Sequence, residues 1–461
     1  MPRLFTVWLI SLLTWTVSSL HAFTIHVPED APNIQAGIDG AADGDTVLVA
    51  GGYYTGLGNR DLDFTGKAIV VTSEDGPEAT IIDCEGSALE PHRGLYFHNG
   101  EGLASVVKGF TIWGGYASMD SPQGSGGAIL CEDSSPTIEG NHIIGNWSEV
   151  NGGGIYAGLN SFPAVIDNLI AGNAAENTGG GIWCAHSDIV IAGNRITGNE
   201  GTWAGGGIFI DYASPSITRT VLSHNSSFWG GGLFCWDSAP VLENCTISLN
   251  RSSTTGGGIY GIYGAAPSIH NSIVWGDVPD EIFMDFGSPV VTYSDIEGGW
   301  SGIGNIDADP SFVLPEWRDF RLLWESPCID AGDPLLSDPD GTRSDIGAHP
   351  FNQDDFITLY LSPDTTIVNP GDALTVTYTL INRWQQTERF GLLTRAVMPN
   401  GATREIVGPA RYTLPAGSTE RFDEVHPVPA ILPSGKYSYW TQIGLPPSTL
   451  HDEEIFSVSV R

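Results

Sequence analysis

Six short stretches of this chain are near copies of one another: "GGAILC" (126–131), "GGGIYA" (152–157), "GGGIWC" (179–184), "GGGIFI" (205–210), "GGGLFC" (230–235) and "GGGIYG" (256–261). The apolar residue after the glycines falls at Ile129, Ile155, Ile182, Ile208, Leu233 and Ile259, so the steps are 26, 27, 26, 25 and 26 residues. A phosphate-cradling glycine loop occurs once or twice in a chain. Six copies at a near-constant period mean stacked structural repeats, a solenoid.

A second patterned strand follows each glycine run: "SPTIEGNHIIGN" (135–146), "PAVIDNLIAGN" (163–173), "SDIVIAGNRITGN" (187–199), "SPSITRTVLSHN" (214–225) and "APVLENCTISLN" (239–250). Aligned on the last asparagine, they give two apolar columns. One holds Ile138, Val165, Ile191, Ile217 and Leu242, the other Ile143, Ile170, Ile196, Leu222 and Ile247. Between them run Asn141, Asn168, Asn194, Thr220 and Cys245, and the closing column is Asn146, Asn173, Asn199, Asn225 and Asn250. A repeat this short holds no helix and is too small for a four-stranded propeller blade. Coiling, with each strand paired in parallel to its copy one turn later, buries the apolar columns as ladders, and the expected fold is a parallel β-helix. Glycine at a corner permits positive φ and close approach of stacked turns. Asparagine tolerates left-handed corners and bonds to the asparagine of the next turn. Asn146, Asn225, Asn244 and Asn250 also begin N-x-S/T sequons, and their columns favour the ladder role.

These repeats resemble the rungs of right-handed parallel β-helix proteins, including the polymorphic outer-membrane adhesins. The stretch "APNIQAGIDGAADGDTVLVAGGYYTG" (31–56) is similar to the entry of such helices, where a short capping helix, here near Ile34 to Ala41, precedes the first strand. Residues 305–351 resemble the tail called choice-of-anchor Q, which follows β-helix repeats in exported bacterial proteins, although Cys328 stands where that pattern often has alanine and "GAHPF" departs from its ending. From about Asp354 the glycine period gives way to about seven short alternating strands, the pattern of an immunoglobulin-like sandwich. The division expected is a signal peptide at 1–22, a β-helix at 23–304, the anchor-like tail at 305–353 and the sandwich at 354–461, in an all-β protein.

The opening "MPRLFTVWLISLLTWTVSSLHAF" has an early Arg3, an apolar run and small residues before Ala22, which reads as a secretory signal. No later run is long and apolar enough to span a membrane. With 54 acidic against 19 basic residues, a net charge of −35, the chain repels nucleic acid and anionic membranes. The expected setting is the cell surface or the extracellular medium, and the expected partner a polysaccharide or a cell-surface component. Of six cysteines, Cys131, Cys184 and Cys235 lie in alternate rungs, roughly 9.6 Å apart at two strand spacings, beyond the reach of a disulfide. They read as buried hydrophobes, whereas Cys84, Cys245 and Cys328 stay open.

Because β-helices also host polysaccharide lyases and hydrolases, acids just after the glycine-marked strand deserve naming: Glu132, Asp133, Asp211 and Asp237, with His186 among them. Asp211, Asp237 and His186 are the candidates for catalysis, while Arg195 and Arg219 belong to another strand. In "DPDGTRSD" (338–345), Asp338, Asp340 and Asp345 present oxygens around Gly341. They make calcium the one candidate ion in a chain that otherwise calls for no cofactor, although the full calcium-loop spacing is missing. One residue after each apolar marker stand Leu130, Tyr156, Trp183, Phe209, Phe234 and Tyr260. Strand alternation points these outward, so the five aromatics form a ridge suited to a sugar chain. Glycan binding without turnover is the leading expectation. A lyase or hydrolase on the same fold, or a structural spacer, is the alternative.

Overall fold

The computed structural model describes residues 22–119, 124–158, 160–354, 356–445 and 449–460. The secretory signal expected at 1–22 therefore lies, apart from Ala22, outside the described residues. From Thr24–Val27 to Asp295–Ile296 the chain coils into a parallel solenoid with an eleven-stranded, a ten-stranded and an eight-stranded face and a short six-stranded one. One coil shows the order: Thr137–Glu139, His142–Ile144, Trp147–Ser148, then Ile155–Ala157.

Register follows the columns of the sequence. Ile138, Val165, Ile191, Ile217 and Leu242 are successive partners on the eleven-stranded face. Ile143, Ile170, Ile196, Leu222 and Ile247 are partners on the ten-stranded face. All ten are fully buried in one continuous core. The closing asparagines form an amide ladder inside the wall. Asn173 donates its backbone N–H and its Nδ2–H to Asn199 Oδ1, each at 3.0 Å, and its Nδ2 also donates to Ile143 O at 2.8 Å. Such pairing satisfies groups whose burial without partners would cost about 1–3 kcal/mol each. Where Cys245 replaces asparagine in the neighbouring column, its thiol donates instead to Ile217 O at 3.3 Å.

Each glycine of the triplet has its own reason. Gly179 turns the corner with φ +68°, a Cβ on Gly180 would lie 2.4 Å from Glu200 backbone atoms of the next coil, and one on Gly181 would lie 2.6 Å from Gly207 O. Cys131 pairs with Ala157, Ala157 with Cys184, Cys184 with Ile210 and Ile210 with Cys235, so the three thiols do occupy alternate coils. All six cysteines are buried and unbridged. The helix Ile34–Gly40, capped by the Asn33 side chain, covers the open end of the first coil with Ile34 and Ile38.

After the last coil the chain turns back along the ten-stranded face. Cys328 Sγ donates to Asp295 Oδ2 at 3.1 Å, Ala348 N to Thr246 Oγ1 at 3.0 Å, and Arg318 Nε to Thr197 Oγ1 at 2.9 Å. Phe320 packs on Val221 between these points. From Ile357 onward the described residues form eight strands in a three-stranded and a five-stranded sheet around Tyr378, Phe390 and Leu392, antiparallel except where Ile367–Val368 runs parallel to the last strand, a β-sandwich. Arg321 clamps it to the returning tail. Its guanidinium grips both oxygens of Asp319 at 2.9 and 2.7 Å, reaches Glu454 at 2.5 Å, and lies 4.3 Å from the Tyr360 ring. At the far end Lys436 of the sandwich meets Glu78 of the early coils at 3.2 Å.

Candidate functional site

The eight-stranded face is left open by the tail and the sandwich, and it carries the outward aromatic column. Leu130, Tyr156, Trp183, Phe209, Phe234, Tyr260 and Phe283 are in register across seven coils. Strand spacing sets the ring spacing, so the rings stack: Tyr156 on Trp183 at 4.5 Å and 4°, Phe209 on Phe234 at 4.9 Å and 6°, Phe234 on Tyr260 at 5.0 Å and 10°.

That geometry corrects the expected bare ridge. Stacked rings spend their faces on one another, and a sugar needs a face. Tyr156, Phe209, Phe234 and Tyr260 are only 9%, 5%, 1% and 7% exposed, and Trp183 alone of the five is half-buried. Their cover is a second layer of aromatics. The register slips between Gly201 and Ala204, and the bulge swings Trp203 over the ladder, 6.0 Å from Phe234, 5.3 Å from Trp229 and 6.1 Å from Trp236. Trp236 in turn leans on Tyr263 at 4.6 Å. Trp203, Tyr212, Phe228, Tyr263 and Phe283 are exposed. Counting one position per coil finds the ladder and misses this layer, although Trp229 stands directly before a glycine run and Trp203 is separated from one only by Ala204.

The candidate acids border the same layer. Asp211 is in register with Ala185 before it and Trp236 after it. One residue on, His186, Tyr212 and Asp237 occupy the same left-handed corner of three successive coils, with φ of 49°, 46° and 43°, and the His186 ring stacks on Tyr212 at 5.3 Å. The structure thus brings His186, Asp211 and Asp237 to one edge. Burial pushes the Asp211 carboxyl up, Asp237 adds to the shift and His186 opposes it. Asp237 and His186 are exposed. Glu132 accepts from the Tyr96 hydroxyl at 2.9 Å and Asp133 from the Asn160 amide at 2.9 Å, so both are engaged elsewhere along the face. Arg195 lies on the ten-stranded face between Leu169 and Val221, away from these acids.

Asp338, Asp340 and Asp345 hold the returning tail. Asp338 Oδ2 accepts from Asp345 N at 2.7 Å, Asp340 from Thr342 N at 3.0 Å and Gln353 N at 2.8 Å, and Asp345 from Asp330 N and Phe351 N, both at 2.7 Å. Burial pushes Asp345 up to about 7. Oxygens aimed at backbone N–H groups are poor cation ligands, and among the described residues no group of three or more acids, histidines or cysteines is arranged to hold a metal ion. No helix of the described residues is long and apolar enough to cross a membrane.

No curated protein matches the chain. Partial likenesses to solved structures include an alkylpurine DNA glycosylase of Pseudomonas fluorescens (11% identity, 23% of this chain and 31% of that one, TM-score 0.20). Others are the sporulation control protein Spo0M of Bacillus subtilis (12%, 23% and 49%, TM-score 0.17) and a beta-glucosidase of Listeria innocua (13%, 27% and 18%, TM-score 0.19). The chain spans less than half the length of each of these three. Residues 47–238 match the family described as right handed beta helix region. Together with the parallel solenoid and its in-register columns, that match supports a right-handed β-helix repeat in this part of the chain.

Proposed function

We propose that the protein is exported and holds a glycan on its eight-stranded face without turning it over. The observation that carries this reading is the exposed aromatic layer of Trp203, Tyr212 and Tyr263, seated on a rigid stacked ladder beside Asp211 and Asp237. Aromatic side chains give large, rigid contact area at low entropic cost, and carboxylates accept from sugar hydroxyls. The acidic surroundings favour a neutral or cationic glycan over a polyuronate. The apolar leader at 1–22 and the anchor-like tail support export to the cell surface. Affinity electrophoresis against neutral, cationic and uronic polysaccharides tests the reading. Trp203→Ala with Trp236→Ala should weaken retardation by neutral polymer about tenfold, as loss of a buried aromatic contact does. Unaltered retardation would remove the aromatic layer from the site.

A second reading has one observation in its favour, the placing of the half-buried Asp211 and the exposed Asp237 on one edge of successive coils, a pair of carboxyls of the kind glycoside hydrolysis uses. Release of reducing ends that stops in Asp211→Asn would establish it.

A further inference from the structure

A second concave region lies where the sandwich comes to rest on the early coils, and no part of the reading above uses it. The cleft encloses about 820 Å³, within the roughly 300–1,000 Å³ of small-molecule sites, which favour such junctions. Its solenoid wall comes from Gly51, Gly52 and Tyr53 and from the turn carrying Asp75, Glu78 and Ala79, and its sandwich wall from Val397, Met398, Ser434, Lys436 and Ser438. Both walls are braced. Lys436 Nζ lies 3.2 Å from Glu78, Ser459 Oγ donates to Glu78 O at 3.0 Å, and Gly51 N donates to Asp75 Oδ2 at 3.0 Å, which fixes that carboxylate at the rim.

The lining alternates apolar surface (Ala79, Ile81, Val397, Met398) with hydroxyls and carboxylates (Ser434, Ser438, Asp75, Glu78). A sugar presents the same mixture, apolar C–H faces ringed by hydroxyls. With two carboxylates against one ammonium group in the lining, the local field is negative. We infer that this cleft binds the end of a short neutral or cationic oligosaccharide, as a site separate from the aromatic face. Because the walls belong to different parts of the chain, an occupant contacts both and tightens the docking of the sandwich.

Titration calorimetry of the full chain with cellotriose, glucosamine trimer and galacturonate trimer tests this. The expected result is saturable binding of the first two, with the uronate at least tenfold weaker. Ser438→Trp, which fills the cleft, and the smaller Ala79→Leu should each lower affinity at least tenfold. Three results overturn the inference: no saturable binding of any trimer, a preference for the uronate, or full affinity in both cleft variants with their unfolding temperatures intact. Loss of trimer binding in the Trp203/Trp236 variant would assign the trimer to the aromatic face and overturn it as well. Failure of polymer binding in the earlier test leaves this one standing, since the two use different residues.

Discussion

Asn250 donates both its backbone N–H and its Nδ2–H to a single oxygen, Asp277 Oδ1, at 2.6 and 2.9 Å. The amide ladder that starts at Asn146 therefore ends on a carboxyl group inside the wall. Glu281 stands beside it, accepting from Asp277 N at 3.1 Å.

This ending makes stability depend on pH. Burial pushes both carboxyls up, Asp277 to about 7 against the opposing hydrogen bonds from Glu281 and Asn250, and the Asp277 carboxylate pushes Glu281 up further. At pH below about 4 folded and unfolded chains alike hold these protons. As pH rises the unfolded carboxyls let go first, the unfolded state binds fewer protons, and stability falls from about pH 4 through about pH 7. Asp277→Asn continues the ladder with a neutral amide. Its melting temperature at pH 8 should exceed that of the wild type by roughly 2–4 °C, while at pH 4 the two should agree. Equal curves at both pH values would mean that Asp277 is ionised without penalty.

Ile196 sits fully buried between Ile170 and Leu222. Ile196→Asp places a charge between coils and should cost about 3–5 kcal/mol, visible in urea unfolding. An unchanged midpoint would refute the register.

Ladder and outer layer should separate by phenotype. Phe234, 1% exposed and stacked on both sides, should cost about 3–5 kcal/mol when cut to alanine. Trp203→Ala, at an exposed bulge, should shift unfolding by less than about 1 kcal/mol. Differential scanning calorimetry decides, and the reverse order would make Trp203 the structural residue.

All six thiols are buried, and burial pushes Cys84, Cys131, Cys184 and Cys235 well above the ordinary range, as it does Cys245, to about 12. A thiol-disulfide reagent attacked by thiolate should label none of them in the native protein and all six in urea. Rapid native labelling at any site would show that its coil opens.

Arg321→Ala removes the clamp on Asp319 and Glu454 and leaves two carboxyls facing each other. Calorimetry should then show the sandwich melting as a separate, earlier transition. A single transition at the wild-type temperature would show that the stacking of Arg383 between Trp324, Phe351 and Phe356 and the contacts to Glu78 hold the sandwich without the clamp.

What spacing encodes was legible in the sequence. The Ile138 and Ile143 columns, the asparagine ladder and the alternate cysteines are relations between stacked coils, so a period suffices to place them, whereas the capping helix follows from the resemblance of residues 31–56 to the entry of such helices. Coverage is different. That Trp203 folds over Phe234 depends on a bulge that breaks the period, and that Ser459 reaches Glu78 depends on residues 381 apart in sequence. The acids of 338–345 were read as ligands because their turn resembles a cation loop, and only the backbone groups supplied by Gln353 and Phe351 show where their oxygens are spent. His186, Asp211 and Asp237 fall on one edge in the sequence because a corner recurs with the coil, and the structure adds that His186 and Asp237 occupy that corner while Asp211 stands one residue before it.

The returning tail turns the number of coils into a fitted dimension. In an open array a coil can be gained or lost with little effect on the others, since each touches only its neighbours. Here one chain is tied to the stack at Asp295, Thr246 and Thr197 and again, through the sandwich, at Glu78. One extra coil between those points would shift Glu78 by about 4.8 Å further from Lys436, past the reach of the contact. The strap measures the stack, and a miscounted stack cannot be buckled.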